Sequence, residues 1–241
     1  MSGLPLHGQV AAITGGGTGV GAAAAASLAR RGARLVITGR REDRLRSVAD
    51  ALETEVEVLA ADITGPETSA LVVDRAIEQF GRLDIVVHAA GIFEKRPIEE
   101  TDDAFWHRTL DVNLSAVVAL TRAAWPALRR SAGQVVLISS VAAVQGFSDN
   151  TAYAASKGGM NAIGEVFREE GRADGIRILT ICPAQIDTEL WDGKAPDSVR
   201  GRMMRSSGVG EVVASLTASD RSIDFAPVTI RPPSNPWLAE V

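Results

Sequence analysis

Two side chains four residues apart have the types needed to move a proton. Tyr153 is the chain's single tyrosine and Lys157 one of three lysines, in Thr151-Ala152-Tyr153-Ala154-Ala155-Ser156-Lys157. At a helix start this spacing puts both on one face. A free phenol, with a pKa of about 10, is a poor base near neutrality, but a neighbouring ammonium favours the phenolate. Ser139-Ser140 ends an apolar run upstream, where a hydroxyl could hold an oxygen that gains charge. A Tyr-x-x-x-Lys pair standing alone is more often a surface pair, so its meaning depends on its surroundings.

Those surroundings include a glycine-rich turn, Thr14-Gly15-Gly16-Gly17-Thr18-Gly19-Val20-Gly21, between an apolar run and an Ala-rich helical stretch. At such a junction glycines let the backbone turn sharply and approach a pyrophosphate, whose charge the free N–H groups of the helix start can bind. No Gly-Lys-Ser/Thr follows, so the turn is not a P-loop. The second apolar run ends in Ile37-Thr38-Gly39-Arg40-Arg41, with no acid before Glu42. An acid there would bind the ribose 2′-hydroxyl of NAD, whereas guanidiniums suit the 2′-phosphate of NADP. Arg40 is assigned to that phosphate; Arg41 either joins it or begins a solvated helix face. The expected cofactor is NADP(H) in preference to NAD(H).

The elements that must position these groups alternate along the chain. Short apolar runs cover Val10–Thr14, Arg34–Thr38, Val56–Ala60, Asp84–His88, Gln134–Ser139, Arg177–Cys182 and Phe225–Ile230. Most are nearly continuous in Val, Ile, Leu and Ala, as in parallel strands covered on both faces. Helical stretches are predicted at Val20–Arg31, Arg41–Glu53, Glu67–Phe80, Asp102–Arg130, Thr151–Ala173 and Glu211–Ser219. Gly32, Gly81, Gly133 and Gly175 stand where left-handed helix caps belong. The alternation predicts one α/β domain over residues 1–241, a doubly wound parallel sheet of about seven strands flanked by helices on both faces. Residues 188–210 break the rhythm after a strand's carboxyl end and read either as a substrate lid or as a surface loop.

Taken together, these motifs resemble the short-chain dehydrogenase/reductase family over essentially the whole chain. Thr14-Gly15-x-x-x-Gly19-x-Gly21 looks like its cofactor motif, Ser140 like its catalytic serine and Tyr153-x-x-x-Lys157 like its signature pair. Asn113, in Asp111-Val112-Asn113-Leu114, sits where a fourth catalytic residue lies. The resemblance implies a Rossmann-type fold and cofactor contacts at Gly15, Thr18, Gly19, Val20, Gly21, Arg40, Arg41, Asp62, Ile63, Ala90, Gly91, Tyr153, Lys157, Pro183, Ile186 and Thr188. Asp62 would contact the adenine, and the segment Pro183 to Thr188 would line the nicotinamide. The implied activity is hydride transfer between NADPH and a small or medium carbonyl compound or secondary alcohol. Tyr153 would exchange the proton, Ser140 would hold the oxygen, Lys157 would lower the tyrosine's pKa and hold the ribose, and Asn113 would hold a water.

The chain departs from the family pattern at three places. His88-Ala89-Ala90-Gly91 stands for the usual Asn-Asn-Ala-Gly, removing a side chain that helps hold the central strands. His88 reads as a buried strand-end histidine satisfied by backbone. Pro183-Ala184 replaces Pro-Gly beside the nicotinamide, with Cys182 next to it as a small buried hydrophobe. The end, Phe225-Ala226-Pro227-Val228-Thr229-Ile230-Arg231-Pro232-Pro233, lacks the common Asp-Gly-Gly and looks more like the NADP-dependent branch acting on small hydroxy acids and amino alcohols.

Candidate substrate walls, among them Phe93, Val141, Phe147, Gln185, Trp191 and Met203, are mostly apolar, while Arg200, Arg202 and Arg205 could meet a carboxylate or face solvent. The two longest helices carry more apolar surface than one sheet face needs, and in the resembled family such helices pair subunits as homodimers or homotetramers. A net charge of −5 gives no bulk attraction to nucleic acid or acidic membranes. No apolar run approaches the roughly 20 residues of a membrane span, the start does not read as a signal peptide, and the lone cysteine fits a reducing cytoplasm. No metal site is expected, because His7 and His107 lack ligand spacing with acids or Cys182. The rival to an enzyme is a non-catalytic NADP(H)-binding redox sensor or scaffold; a further rival reduces imines or activated alkenes.

Overall fold

Apolar runs without polar interruption need cover on both faces, and the computed structural model, which describes residues 3–237, supplies it. Residues 1, 2 and 238–241 of the predicted unit lie outside the described residues. In chain order the elements are β1 (Val10–Thr14), α1 (Gly19–Ala29), β2 (Arg34–Gly39), α2 (Glu42–Asp50), β3 (Val56–Ala60), α3 (Thr68–Phe80), β4 (Ile85–His88), α4 (Asp103–Leu110) and α5 (Ala116–Ser131). There follow β5 (Gln134–Ile138), α6 (Thr151–Gly171), β6 (Arg177–Pro183), β7 (Ile186–Asp187), α7 (Asp197–Arg200), β8 (Met204–Arg205), α8 (Ser206–Thr217) and β9 (Val228–Ile230).

Seven of the strands form one parallel sheet in the order β3-β2-β1-β4-β5-β6-β9, a Rossmann-like arrangement. Successive strand residues point to opposite faces, so Ala11 and Ile13 enter one core with Leu28 of α1 and Val213 of α8. Val10 and Ala12 enter the other, with Leu120 of α5 and Met160 of α6. Chain order reverses where β1 pairs with β2 on one side and β4 on the other. The crevice outside the carboxyl ends at such a switch point is where ligands bind in open α/β sheets.

Four expectations shift. The stretch expected as one helix over 102–130 is α4 and α5 joined by a π-turn, Asp111–Ser115, which fixes the direction of Asn113. Such a turn closes i→i+5 bonds and shifts the helical phase by about one residue, which the apolar pattern does not mark. Gly32, Gly81 and Gly175 do take positive φ, but the left-handed residue near Gly133 is Ala132, at φ 46°. Gly133 is needed for space instead: a Cβ there would lie 2.6 Å from the Asp84 carbonyl oxygen. The last strand starts at Val228, not Phe225, and α8 starts at Ser206, so the segment expected as 188–210 ends at Arg205.

Candidate active site

The glycine turn is built by contact between β1, α1 and β4. Gly15 has φ 67°, and a Cβ on it would lie 2.9 Å from the Ala90 backbone. Thr14 Oγ1 accepts hydrogen bonds from the Ala89 and Ala90 amides, each at 3.1 Å. The threonine thereby clasps the two central strand ends. At the start of α1, Thr18 is extended, its side chain caps nothing, and the first turn holds no acid. The N–H groups of that turn are therefore left for an anion, and Thr18, Gly19 and Val20 line the cleft. A dinucleotide pyrophosphate fits this cradle. Gly21 does not line the cleft; it lets α1 start against Gly15, whose carbonyl oxygen would be 2.2 Å from a Cβ.

Beyond the turn a recess of about 170 Å³ is bordered by Arg40, Arg41, Arg44, Asp62 and Ile63. Arg40 is exposed and has no ion-pair partner among the described residues. Arg41 instead pairs with Glu189 across the cleft at 2.7 Å. Asp62 accepts from the Thr64 amide at 2.9 Å and its hydroxyl at 2.7 Å. Those bonds hold its carboxyl below the usual range. Thr38 Oγ1, also at this recess, is buried without a protein partner. A cation without a partner and an orphaned hydroxyl suit an adenosine 2′-phosphate.

The larger cleft, about 820 Å³, brings together Ser140, Tyr153 and Lys157 with Ala90, Gly91, Pro183, Ile186 and Thr188. Ser140 follows β5 and starts a short 3₁₀ turn, its Oγ accepting from the Ala142 amide at 3.1 Å. Tyr153 lies in the first turn of α6. Burial pushes its phenol above the ordinary value, and hydrogen bonding with Ser140 opposes that. Lys157 is buried one helical turn on, and Nζ donates to the Ile138 carbonyl at 2.8 Å. Its pKa falls to about 8 because burial penalises the ammonium. Nζ lies 5.8 Å from the tyrosine ring centre, and in this structure Ser140, not Lys157, is what counters the phenol's upward shift.

Asn113 stands behind the cleft, fully buried. Its Oδ1 accepts from the Ile92 amide at 2.8 Å, and its Nδ2 donates to the Ile92 carbonyl at 3.0 Å and Ser156 Oγ at 3.2 Å. The amide thus fixes the backbone after β4 to α6, one residue from Lys157. A Cβ on Gly91 would lie 3.3 Å from Asn113 Oδ1 and 3.8 Å from Lys157 Nζ.

His88 is buried as expected, but its partner is the Thr121 hydroxyl, 2.9 Å from Nε2, and not the backbone. Burial first, then the Lys157 charge, lowers its pKa to about 3. A depressed pKa means that the unfolded chain binds the proton first. The stability tied to neutral His88 is full above about pH 6.5 and is lost as pH falls towards 3. His88→Asn is expected to move the acid-unfolding midpoint, followed by circular dichroism, down by about half a pH unit. An unchanged midpoint would show that other groups govern acid unfolding.

The segment after β6 is tied down by its own cations. Arg200 pairs with Asp187 and Asp192, each at 2.7 Å, and Lys194 donates to the Phe93 carbonyl at 2.7 Å. Arg202 donates to the Pro236 carbonyl at 2.6 Å. Arg200 and Arg202 thus hold the rim and the tail in place of a ligand carboxylate. Asn150, Glu189, Asn235 and Trp237 also line the cleft, and none was singled out from the sequence. Asn150 could have been found by its spacing from Tyr153; the others reach the cleft only through folding of the segment after β7 and of the tail.

Comparison with known proteins follows the same line. A family model described as short chain dehydrogenase matches residues 9–198. The chain is 31% identical over 234 residues to an uncharacterized oxidoreductase of Staphylococcus saprophyticus, covering 95% of this chain and 99% of that one. A short chain dehydrogenase from Burkholderia cenocepacia in complex with NADP superposes with TM-score 0.86 and 31% identity, covering 94% of this chain and 97% of that one. A metagenomic short-chain oxidoreductase in complex with NADP gives 0.83 and 30%, over 95% and 98%. The chain belongs to the short-chain dehydrogenase family, and it is an oxidoreductase of that family.

Proposed function

We propose that the protein is an NADP(H)-dependent oxidoreductase acting on a carbonyl group or the corresponding secondary alcohol. The observation that carries this reading is the meeting of Ser140 and Tyr153 in one cleft with the uncapped start of α1 and the Arg40 side chain. NADP(H), the ligand of both neighbouring structures, would lie along Thr18, Gly19 and Val20 with its 2′-phosphate at Arg40, and supplies or accepts the hydride. Tyr153 gives the proton to the carbonyl oxygen in reduction and takes it in oxidation. Ser140 donates a hydrogen bond to the same oxygen as its charge grows. Lys157 holds the ribose, and its positive charge favours the phenolate once Nζ turns from Ile138 to the ligand. Asn113 holds Ile92 and Ser156 in place, so the wall beside Lys157 stays fixed.

The test is consumption of NADPH by the purified protein against ketones, aldehydes, diketones and keto acids, with alcohols and NADP+ for the reverse direction. Turnover supports the reading. Tight NADPH binding with no turnover in either direction would leave a cofactor-binding sensor.

Glu189 competes with the 2′-phosphate for Arg41. Glu189→Gln is expected to tighten NADPH binding by roughly threefold to fivefold, the scale of an exposed ion pair. NADH binding should not change, and a titration showing equal gains for both cofactors would remove Arg41 from the phosphate site. Helices α5 and α6 pack together through Trp125 and Phe167, 6.0 Å apart, and α6 leaves Val166 half exposed. We infer that these helices pair subunits into a homodimer or homotetramer; a strict monomer by light scattering would rule this out. Among the described residues no helix is long and apolar enough to cross a membrane.

A further inference from the structure

One wall of the cleft is a run of aromatic rings that begins at the reacting phenol. Phe93 meets Tyr153 edge to face, with ring centres 5.0 Å apart and planes at 68°. Trp191 lies 5.5 Å from Phe93 at 54°, and Trp237 lies 6.0 Å from Trp191 at 57°. All four side chains line the cleft. The run joins four separate pieces of chain: the start of α6, the loop after β4, the segment after β7 and the tail. Lys194 pins Phe93 by its carbonyl and stands 5.3 Å over its ring, and Arg202 pins the tail next to Trp237.

A second feature faces the same space. Asn150 is 7% exposed and lines the cleft, and its Oδ1 is buried with no hydrogen-bond partner. It is the residue just before α6, three before Tyr153, and both side chains line the cleft. A buried amide without a partner is costly, so a ligand group that pairs with it gains what the free protein lacks. Asn150, Tyr153 and Ser140 border the same space.

We propose that the substrate is an aryl ketone, or the matching benzylic alcohol, with a second oxygen beside the reacting one. Its ring packs along Phe93, Trp191 and Trp237, and its second oxygen meets the Asn150 amide. Tilted rings offer faces and edges whose charge distribution complements another aromatic ring, a gain that a saturated ring of equal size does not obtain. An oxo oxygen can accept from Nδ2, and a hydroxyl can donate to Oδ1 once the amide turns it from its buried position to the cleft. This proposal rests on the oxidoreductase reading above. The ketone carbon gains hydride from NADPH, which becomes NADP+, and the oxygen gains the proton from Tyr153.

Calorimetric titration in the presence and absence of NADP+ tests the site without relying on turnover. The probes 1-phenylpropane-1,2-dione and 1-cyclohexylpropane-1,2-dione carry the same two oxygens and differ in the ring. The phenyl compound should bind roughly tenfold tighter, and the ratio should fall to about two in the Trp191→Leu/Trp237→Leu variant. Both tryptophans are partly exposed at the rim, so truncating them spares the core. Asn150→Ala should bring the phenyl dione down to the affinity of propiophenone, which has the ring and one carbonyl, while the ring preference stays. Equal or undetectable binding of both diones, or a preference that survives in the double variant, overturns the proposal. A dione that binds no tighter than propiophenone overturns the part given to Asn150. If the ring preference holds but NADPH reduces neither dione, the site assignment stands and the proposed reaction fails.

Discussion

Tyr153→Phe is expected to lower turnover by about a thousandfold or more, the range of a lost general acid–base group, with NADPH affinity within about twofold of wild type. The substitution removes one oxygen and keeps the ring. The edge-to-face contact with Phe93 therefore remains, as does the Lys157 bond to Ile138, which does not involve the phenol. What is lost is the one group at the cleft that couples proton exchange to the oxygen beside Ser140. Because burial raises the phenol's pKa, the protonated donor predominates at neutral pH, and reduction needs no further ionisation. Alcohol oxidation needs the phenolate, so the wild-type oxidation rate should rise with pH through the alkaline range. In the variant the residual rate should show no such rise. Steady-state rates in both directions, with NADPH binding measured separately, separate this role from a structural one. A variant with turnover within tenfold of wild type would remove Tyr153 from the chemistry.

What the sequence makes legible here follows from how locally each feature is determined. The strands are legible because a run such as Val135-Val136-Leu137-Ile138 has no polar face to show solvent, and only a doubly covered sheet accepts it. The glycine turn and the Tyr153–Lys157 pair are legible because short-range spacing sets their geometry. Asn113 is legible by position, but its hold on Ile92 depends on a π-turn whose one-residue phase shift the apolar pattern does not mark. Ala132 takes the left-handed cap because Gly133 is required one residue later, against the Asp84 carbonyl. That demand comes from β4, far away in sequence. Glu189 and Trp237 lie in segments with no periodic pattern, and they become site residues only when Arg200 and Arg202 fasten those segments to the rim. Thr14 shows the converse: a residue read as part of the glycine motif proves to clasp the end of β4 through the Ala89 and Ala90 amides.

The second large effect is expected from a single methyl group. Gly21→Ala would place a Cβ 2.2 Å from the Gly15 carbonyl oxygen, 2.6 Å from its carbon and 3.1 Å from the Gly16 nitrogen. All three are backbone atoms, so no side-chain rotation relieves the overlap. The turn cannot retreat either, because Gly15 already lies against Ala90, where even its own Cβ would be 2.9 Å from backbone. Relief must come from α1 moving away, and α1 is packed against α8 with a Gly210 Cβ position only 2.4 Å from the Ala23 carbonyl oxygen. Overpacking of this kind costs about 1–3 kcal/mol, which for a chain of this size lowers Tm by roughly 3–10 °C. The loss in binding should be larger, because the N–H groups of Thr18, Gly19 and Val20 move with the helix start while Arg40 stays with β2. A cradle displaced against its phosphate anchor is expected to weaken NADPH by about a hundredfold, since misplacement of order 1 Å is enough for such losses. Gly17→Ala is the control: its Cβ would meet Arg44 Cβ at 3.2 Å and the Leu45 nitrogen at 3.4 Å, a tight contact that a shift of a few tenths of an ångström in α2 relieves. It should stay within about fivefold of wild type for NADPH. Equal losses in the two variants would mean that the turn merely connects β1 to α1. A loss confined to Gly21→Ala, with the sheet still folded by circular dichroism, would tie cofactor affinity to the close start of α1 itself.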